Sequence, residues 1–170
     1  MRLVFRTELL ALLPSLRGFA RFLAREPSMA DDLVQETVLR ALDRMAQFEV
    51  GSSLKAWCFT ILRNIFLEQR RRGKKEQEVL EHYGQHSPHR APPSADGRQE
   101  VQELETLLWQ LTPLLREALV LIGAQGMTYG EAAEICGVDV GTIKARVSRA
   151  RSMLHRLTQQ QVGEGEAGPE

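Results

Sequence analysis

The stretch GVDVGTIKARVSRARSML, residues 137–154, decides how the second half of the chain folds. Wound as a helix at about 100° per residue, it lines up Ile143, Val147, Ala150 and Leu154 in one narrow apolar stripe. The opposite face is a strip of very small side chains, Gly141, Ala145, Ser148 and Ser152. Lys144 and Arg151 run along one margin of that strip, and Arg146 and Arg149 along the other. One reading is a helical hairpin with a solvated charged face. Such a face normally mixes acids with bases, whereas residues 140–156 contain no acid at all. Small residues between basic edges let a helix approach a groove floor while Lys and Arg reach phosphates and base edges on either side. DNA binding is therefore the favoured reading.

Just upstream, Thr128 to Glu131 reads TYGE, a capping box that starts a helix. Ala133, Gly137 and Ile143 then stand at spacings of four and six, the frame of a helix-turn-helix. The small Ala133 lets two helices approach, Gly137 supplies a turn that can require a positive backbone angle, and Ile143 seats the second helix. Ala132, Ile135 and Val138 fill the remaining inward places. Gly141 and Thr142, at the start of the second helix, are expected to leave backbone donors open to a phosphate.

Further upstream, Leu104, Leu107, Leu108 and Leu111 form a helical pattern beginning near Val101. Thr112-Pro113 opens another helix, with proline at its first position, running through Leu115, Ala118, Leu119 and Ile122 to Gly123. In the N-terminal half, Thr7 to Leu12 is a short helix that Pro14 breaks or restarts. Leu16, Phe19, Ala20 and Leu23 carry the stripe on to about Arg25. Ser28 is the expected cap of the next helix, with Asp31 completing a capping-box variant and Leu33 or Val34, Val38, Leu42 and Met45 facing inward. After the EVGSS loop, Ser53 caps a third helix from Leu54 to about Arg72, whose apolar side holds Leu54, Trp57, Cys58, Ile61, Leu62 and Ile65.

No alternating strand pattern interrupts these periods, so the expected fold class is all-α. Two small helical domains, 1–73 and 101–160, are joined by a flexible linker, 74–100, and followed by a disordered tail, 161–170. The linker sequence KKEQEVLEHYGQHSPHRAPPSADGR is polar and holds three prolines. Its histidines at 82, 86 and 89 lack acidic or thiol partners, so no metal site is expected.

The 170 residues are 43% hydrophobic and 26% charged, ordinary values for a globular protein. Lys plus Arg and Asp plus Glu are both 22, so total charge carries no nucleic-acid signature; the positive element is local. Cys58 and Cys136 sit in apolar helical patterns and read as small buried hydrophobes of a reducing compartment. The start MRLVFRTELLALLPSL is interrupted by Arg6, Glu8, Pro14 and Arg17, so it reads as an amphipathic helix of a cytoplasmic protein rather than a signal peptide. Nothing in the sequence suggests membrane association.

Two further features bear on function. The third helix places Asn64, a mid-helix amide able to bond base edges, among Arg63, Arg70, Arg71 and Arg72, which supply phosphate contacts. Trp57 and Phe59 read as core. The outer face of the second helix carries Asp31, Asp32, Gln35, Glu36, Leu39 and Asp43; docking on a basic protein and ordinary solvation fit it equally well. No Ser-His-Asp arrangement, phosphate loop or paired carboxylates suggest catalysis, so neither an enzyme nor a cofactor is expected.

The segments ADDLVQETVLRAL (30–42) and FEVGSSLKAWCFTILRNIFLEQRRR (48–72) resemble region 2 of the extracytoplasmic-function sigma factors. The segment LTPLLREALVLIGAQGMTYGEAAEICGVDVGTIKARVSRARSML (111–154) resembles their region 4. The phrases QETVLRAL, FTILRN and EAAEICGVDVGTIKARV are most similar to the general-stress-response subgroup of alphaproteobacteria. The resemblance implies a dissociable specificity subunit of bacterial RNA polymerase, which directs core enzyme to −35/−10 promoters and aids melting.

By that resemblance Asp32, Gln35, Glu36 and Leu39 dock on the β′ clamp helices. Phe48, Gly51, Ser52, Ser53, Arg63, Asn64, Arg70 and Arg71 handle the −10 element and an extruded base, whose extraction costs a few kcal/mol. Lys144, Ala145, Ser148 and Arg149 face bases of the −35 element, with Thr142, Arg146 and Arg151 beside them toward phosphate. The implied partners are core polymerase, through its β′ clamp helices and β flap, promoter DNA and an anti-sigma factor. Ala145 and Ser148 are small where other members carry larger side chains, so the −35 sequence is not transferable. Two other readings compete: a sigma mimic that sequesters an anti-sigma protein, which needs no basic recognition helix, and a stand-alone helix-turn-helix repressor, which leaves the acidic second helix unexplained.

Overall fold

The structure, a computed structural model, describes residues 2–82 and 99–165, and among these every regular element is helical. It divides into two compact units, Met1–Ser94 and Ala95–Glu170. The expected metal-free histidines at 82, 86 and 89 and most of the expected linker lie outside the described side chains.

In the first unit, α1 (Arg2–Ala11) and α2 (Leu13–Leu23) are separated at Leu12, one residue before the restricted pre-proline position. Helix α3 spans Pro27–Asp43, a single 3₁₀ turn covers Met45–Gln47, and α4 runs Leu54–His82. Leu16, Phe19 and Ala20 of α2 meet Leu33 and Val34 of α3 and Cys58, Phe59, Leu62 and Ile65 of α4, all buried. At their centre the Phe19 and Phe59 rings stack with centroids 4.7 Å apart and planes within 2°. Burial pushes the Cys58 thiol up to about 12, which keeps it protonated and unreactive.

Three local expectations are corrected. Ser28 does not cap α3: the helix starts at Pro27, whose fixed φ suits the first helical position, and Ser28 Oγ donates to Glu26 Oε1 at 2.7 Å instead. The inner face of α3 is Ala30, Leu33, Val34, Thr37 and Ala41, while Leu42 is exposed. Thr37 enters the core because its hydroxyl donates to the Leu33 carbonyl at 2.6 Å, leaving no unmet polar group. Helix α4 continues past Arg72 to His82, so residues 74–82 of the expected linker are helical. The run KKEQEVLE contains straight-chain helix formers and no proline.

The second unit comprises α5 (Gln99–Gln110), α6 (Pro113–Leu119), α7 (Tyr129–Cys136) and α8 (Val140–Gly165). Helix α6 continues into a π-turn over Val120–Ala124, closed by the Gln125 N–H to the Val120 carbonyl at 2.9 Å. Ala118 of the expected stripe is buried, as are Val120 and Leu121, while Leu115, Leu119 and Ile122 are only half-buried; the wider turn changes the helical phase from Val120 onward. On α5 only Leu108 of the expected Leu104, Leu107 and Leu108 is buried, with Leu111 just beyond it.

Arg116 is buried too, which the apolar period did not foresee. Its guanidinium lies 3.8 Å from the centroid of the Trp109 ring, and Nη1 donates to the Leu111 carbonyl at 3.1 Å. Stacking and hydrogen bonding together offset the desolvation of that charge. Helix α8 persists to Gly165, so residues 161–165 of the expected tail are helical.

Candidate nucleic-acid interface

Helix α7 begins as the sequence requires. Thr128 Oγ1 accepts from the Glu131 N–H at 3.1 Å, and Glu131 Oε2 accepts from the Thr128 N–H at 2.9 Å. It ends at Gly137, whose φ of 66° lies in the left-handed region that disfavours any side chain. The Val138 N–H then returns to the Ala133 carbonyl at 3.1 Å, fixing the turn. Ala133 is buried against the second helix, and Ile143, Val147 and Ala150 of α8 are 0%, 1% and 0% exposed. The helix-turn-helix frame is thus present.

Seating that stripe turns the remaining faces of α8 outward. Gly141, Lys144, Ala145, Ser148, Arg149, Arg151 and Ser152 are exposed, and Thr142 and Arg146 are half-buried at the edge. A shallow strip of small side chains between cations is therefore a real surface. The Lys144 ammonium stands 5.6 Å from the centroid of the Tyr129 ring, so one of these cations leans on the first residue of α7.

The expectation of an open backbone donor at Thr142 is wrong. The Thr142 N–H donates to Asp139 Oδ1 at 2.7 Å, and hydrogen bonds from Thr142, backbone before side chain, hold the Asp139 carboxyl below its ordinary range. Asp139 caps α8 and occupies the place expected for a phosphate. The pattern Asp-x-x-Thr before an apolar stripe carries that signal in the sequence.

In the first unit the residues expected at the −10 element do not form one cluster. Phe48 is half-buried, its ring centroid 5.7 Å from Phe5 and 5.4 Å from Trp57, so it is the rim of an aromatic group rather than a free loop ring. Gly51 adopts φ 95°, Ser52 Oγ donates to the Glu49 carbonyl at 2.7 Å, and Ser53 Oγ accepts from the Ala56 N–H at 3.1 Å as the cap of α4. Asn64, Arg70 and Arg71 are exposed and Arg63 half-buried. At 1.5 Å per residue, Arg70 lies about 25 Å along α4 from Ser53. Seven-residue spacing puts Asn64 and Arg71 on one face and Arg63 and Arg70 on another. The Arg70 guanidinium lies 5.7 Å from the Phe66 ring centroid, which supports its stem.

Asp32, Gln35, Glu36 and Leu39, by contrast, are brought together. They line one groove of about 420 Å³ between α3 and α4, together with Arg40, Ile65, Glu68, Gln69 and Arg72, so Arg72, expected among the phosphate contacts, lies here instead. Arg40 spans it, with Nε 2.8 Å from Glu36 Oε1 and Nη1 3.2 Å from Glu68 Oε2. Partly exposed pairs of this kind are worth about 0–1 kcal/mol and act mainly to hold the carboxylates in place. Leu39 remains 63% exposed beside them, an apolar point in a rim of three carboxylates (Asp32, Glu36, Glu68) and two guanidiniums (Arg40, Arg72). The sequence reading missed Arg40 and Glu68, because their role depends on two helices crossing.

No helix among the described residues is long and apolar enough to cross a membrane. Family models for Sigma-70 region 2 and for Sigma-70, region 4 match residues 9–76 and 101–154. The chain is 47% identical over 153 residues to the ECF RNA polymerase sigma factor EcfG of Rhodopseudomonas palustris, covering 89% of this chain and 83% of that protein. Its structure matches the sigma factor RpoE of Bartonella quintana, solved in complex with the anti-sigma factor NepR. The TM-score is 0.77 at 45% identity, over 91% of this chain and 96% of that one. The anti-anti-sigma factor PhyR of Bartonella quintana shares the fold alone, with TM-score 0.57 at 21% identity over 89% of this chain and 49% of that one. This chain belongs to the extracytoplasmic-function sigma factors of the sigma-70 family.

Proposed function

We propose that the chain acts in the cytoplasm as a non-enzymatic specificity subunit of RNA polymerase in a stress response, using unit-one and unit-two surfaces for different partners. The observation that carries this reading is the pairing, in one sigma-family chain, of a charged groove holding the exposed Leu39 beside Asp32, Glu36 and Glu68 with a basic face on α8. The first suits the β′ clamp helices. The second suits the −35 major groove, where Lys144, Ala145, Ser148 and Arg149 face bases and Arg146 and Arg151 lie toward the backbone. Phe48, Gly51, Ser52, Ser53, Arg63, Asn64, Arg70 and Arg71 belong, in this reading, to the −10 side. Their spread along α4 fits a long strand track, with Asn64 reading and the arginines neutralising phosphate.

A chain with balanced total charge binds DNA weakly alone and gains affinity when polymerase holds both units on one promoter. Regulation by an anti-sigma protein is supported by the relative solved with NepR. The basic face of α8 argues against a decoy that only sequesters an anti-sigma protein, since a decoy needs no DNA surface.

Two substitutions separate the surfaces. Leu39→Asp is expected to weaken the complex with core polymerase about tenfold or more, the usual cost of losing an apolar anchor. Titration of labelled chain with core enzyme measures it, and unchanged affinity would remove Leu39 from the docking face. Arg149→Ala is expected to cost about 1–3 kcal/mol in −35 discrimination, as for loss of a bidentate base contact. Initiation from templates varied across the −35 element checks this; an unaltered sequence preference excludes Arg149 from the reading set.

A further inference from the structure

Lys144 is an exposed lysine on a four-carbon stem, and such a side chain ordinarily samples many rotamers. Here it is confined from one side. Its ammonium stands 5.6 Å from the centroid of the Tyr129 ring, within cation–π range. Tyr129 is half-buried and is the first residue of α7, directly after Thr128. The reciprocal hydrogen bonds of Thr128 and Glu131 fix the backbone of that helix start, from which the ring projects. Lys144 in turn sits one residue after Ile143, fully buried at the helix-turn-helix contact. Both backbones are thus anchored, and only the two side chains between them are free to move.

We propose that Tyr129 is a positioning residue for −35 recognition: its ring holds the Lys144 ammonium at the groove face and so sharpens the base preference that Lys144 imposes. A lysine held near its working rotamer loses less conformational freedom on meeting a base edge, which favours the correct base over a mismatch that cannot retain the contact. This role rests on the assignment of Lys144 to the base-facing side of α8.

The test uses the full chain with core polymerase, initiating on promoter templates randomised across the −35 element. Tyr129→Leu keeps apolar bulk and removes the ring. It is expected to reduce the preference at the position read by Lys144 about two- to fivefold, the range an exposed cation–π contact supports. Tyr129→Phe restores that preference. In a Lys144→Ala background, Tyr129→Leu has no further effect, which a purely structural role for the tyrosine would not produce. Equal losses from Tyr129→Leu with and without Lys144, or no loss at all, overturn the positioning role while leaving the −35 assignment intact. Unchanged −35 preference in Lys144→Ala alone overturns the base-facing assignment of Lys144 and the positioning role with it.

Discussion

Phe19→Ala is expected to destabilise the first unit by about 3–5 kcal/mol, the cost of deleting a fully buried aromatic. Phe19 has no exposed surface and stacks on Phe59 at 4.7 Å, so truncation removes both the buried area and a ring pair. The gap cannot close easily, because Leu16, Leu33 and Leu62 are fully buried around the same junction of α2, α3 and α4. Against a typical total of about 5–15 kcal/mol, that loss consumes much of the margin. Denaturant titration followed by amide signals of the two units should show an early transition confined to α2–α4. A loss under about 1 kcal/mol would mean that the stacked pair is not the centre of the core.

Ile143→Ala is expected to cost about 2–5 kcal/mol in the second unit and to unseat the start of α8. Ile143 is fully buried two residues after the small Gly141, at the point where α8 leaves the turn closed by Gly137. The functional consequence differs from that of Arg149→Ala. A loosened helix is expected to lose preference at every −35 position together, whereas the arginine substitution is expected to affect only the positions proposed for Arg149. The groove of Asp32, Gln35, Glu36 and Leu39 lies in the other unit, so assembly with core polymerase is expected to persist. Thermal unfolding of the second unit and holoenzyme assembly, measured on the same variant, check both halves. Retention of full stability would refute the seating role of Ile143.

The helix-turn-helix was legible because each part obeys a local rule. The TYGE box, the glycine at the positive φ and the Ile143, Val147 and Ala150 stripe each act within one or two helical turns. The exposed strip of Gly141, Ala145, Ser148 and Ser152 followed automatically once that stripe was buried. The all-α class and the two family regions were likewise readable from periodicity and motif.

What failed depended on neighbours in space. The inner face of α3 was misphased because Thr37, polar by composition, satisfies itself on the Leu33 carbonyl and enters the core. The face of α6 differs from the apolar period because Arg116 is buried with its guanidinium against the Trp109 ring, and the π-turn changes the register beyond Val120. Asp139 was overlooked as a cap, and its carboxylate took the amide assigned to a phosphate. The −10 residues were grouped by family motif, and the length of α4 separates them. The residues expected to dock gather in one groove, but Arg40 and Glu68, which organise it, lie on different helices and share no sequence pattern.

The central claim is that one chain joins core polymerase to a two-part promoter. Run-off transcription from a promoter library, with core polymerase present and the chain added or withheld, tests it most directly. Initiation is expected only when the chain is added, at templates pairing particular −35 and −10 elements, with little retention of the same DNA by the chain alone. Failure to initiate at every member of the library would contradict the account.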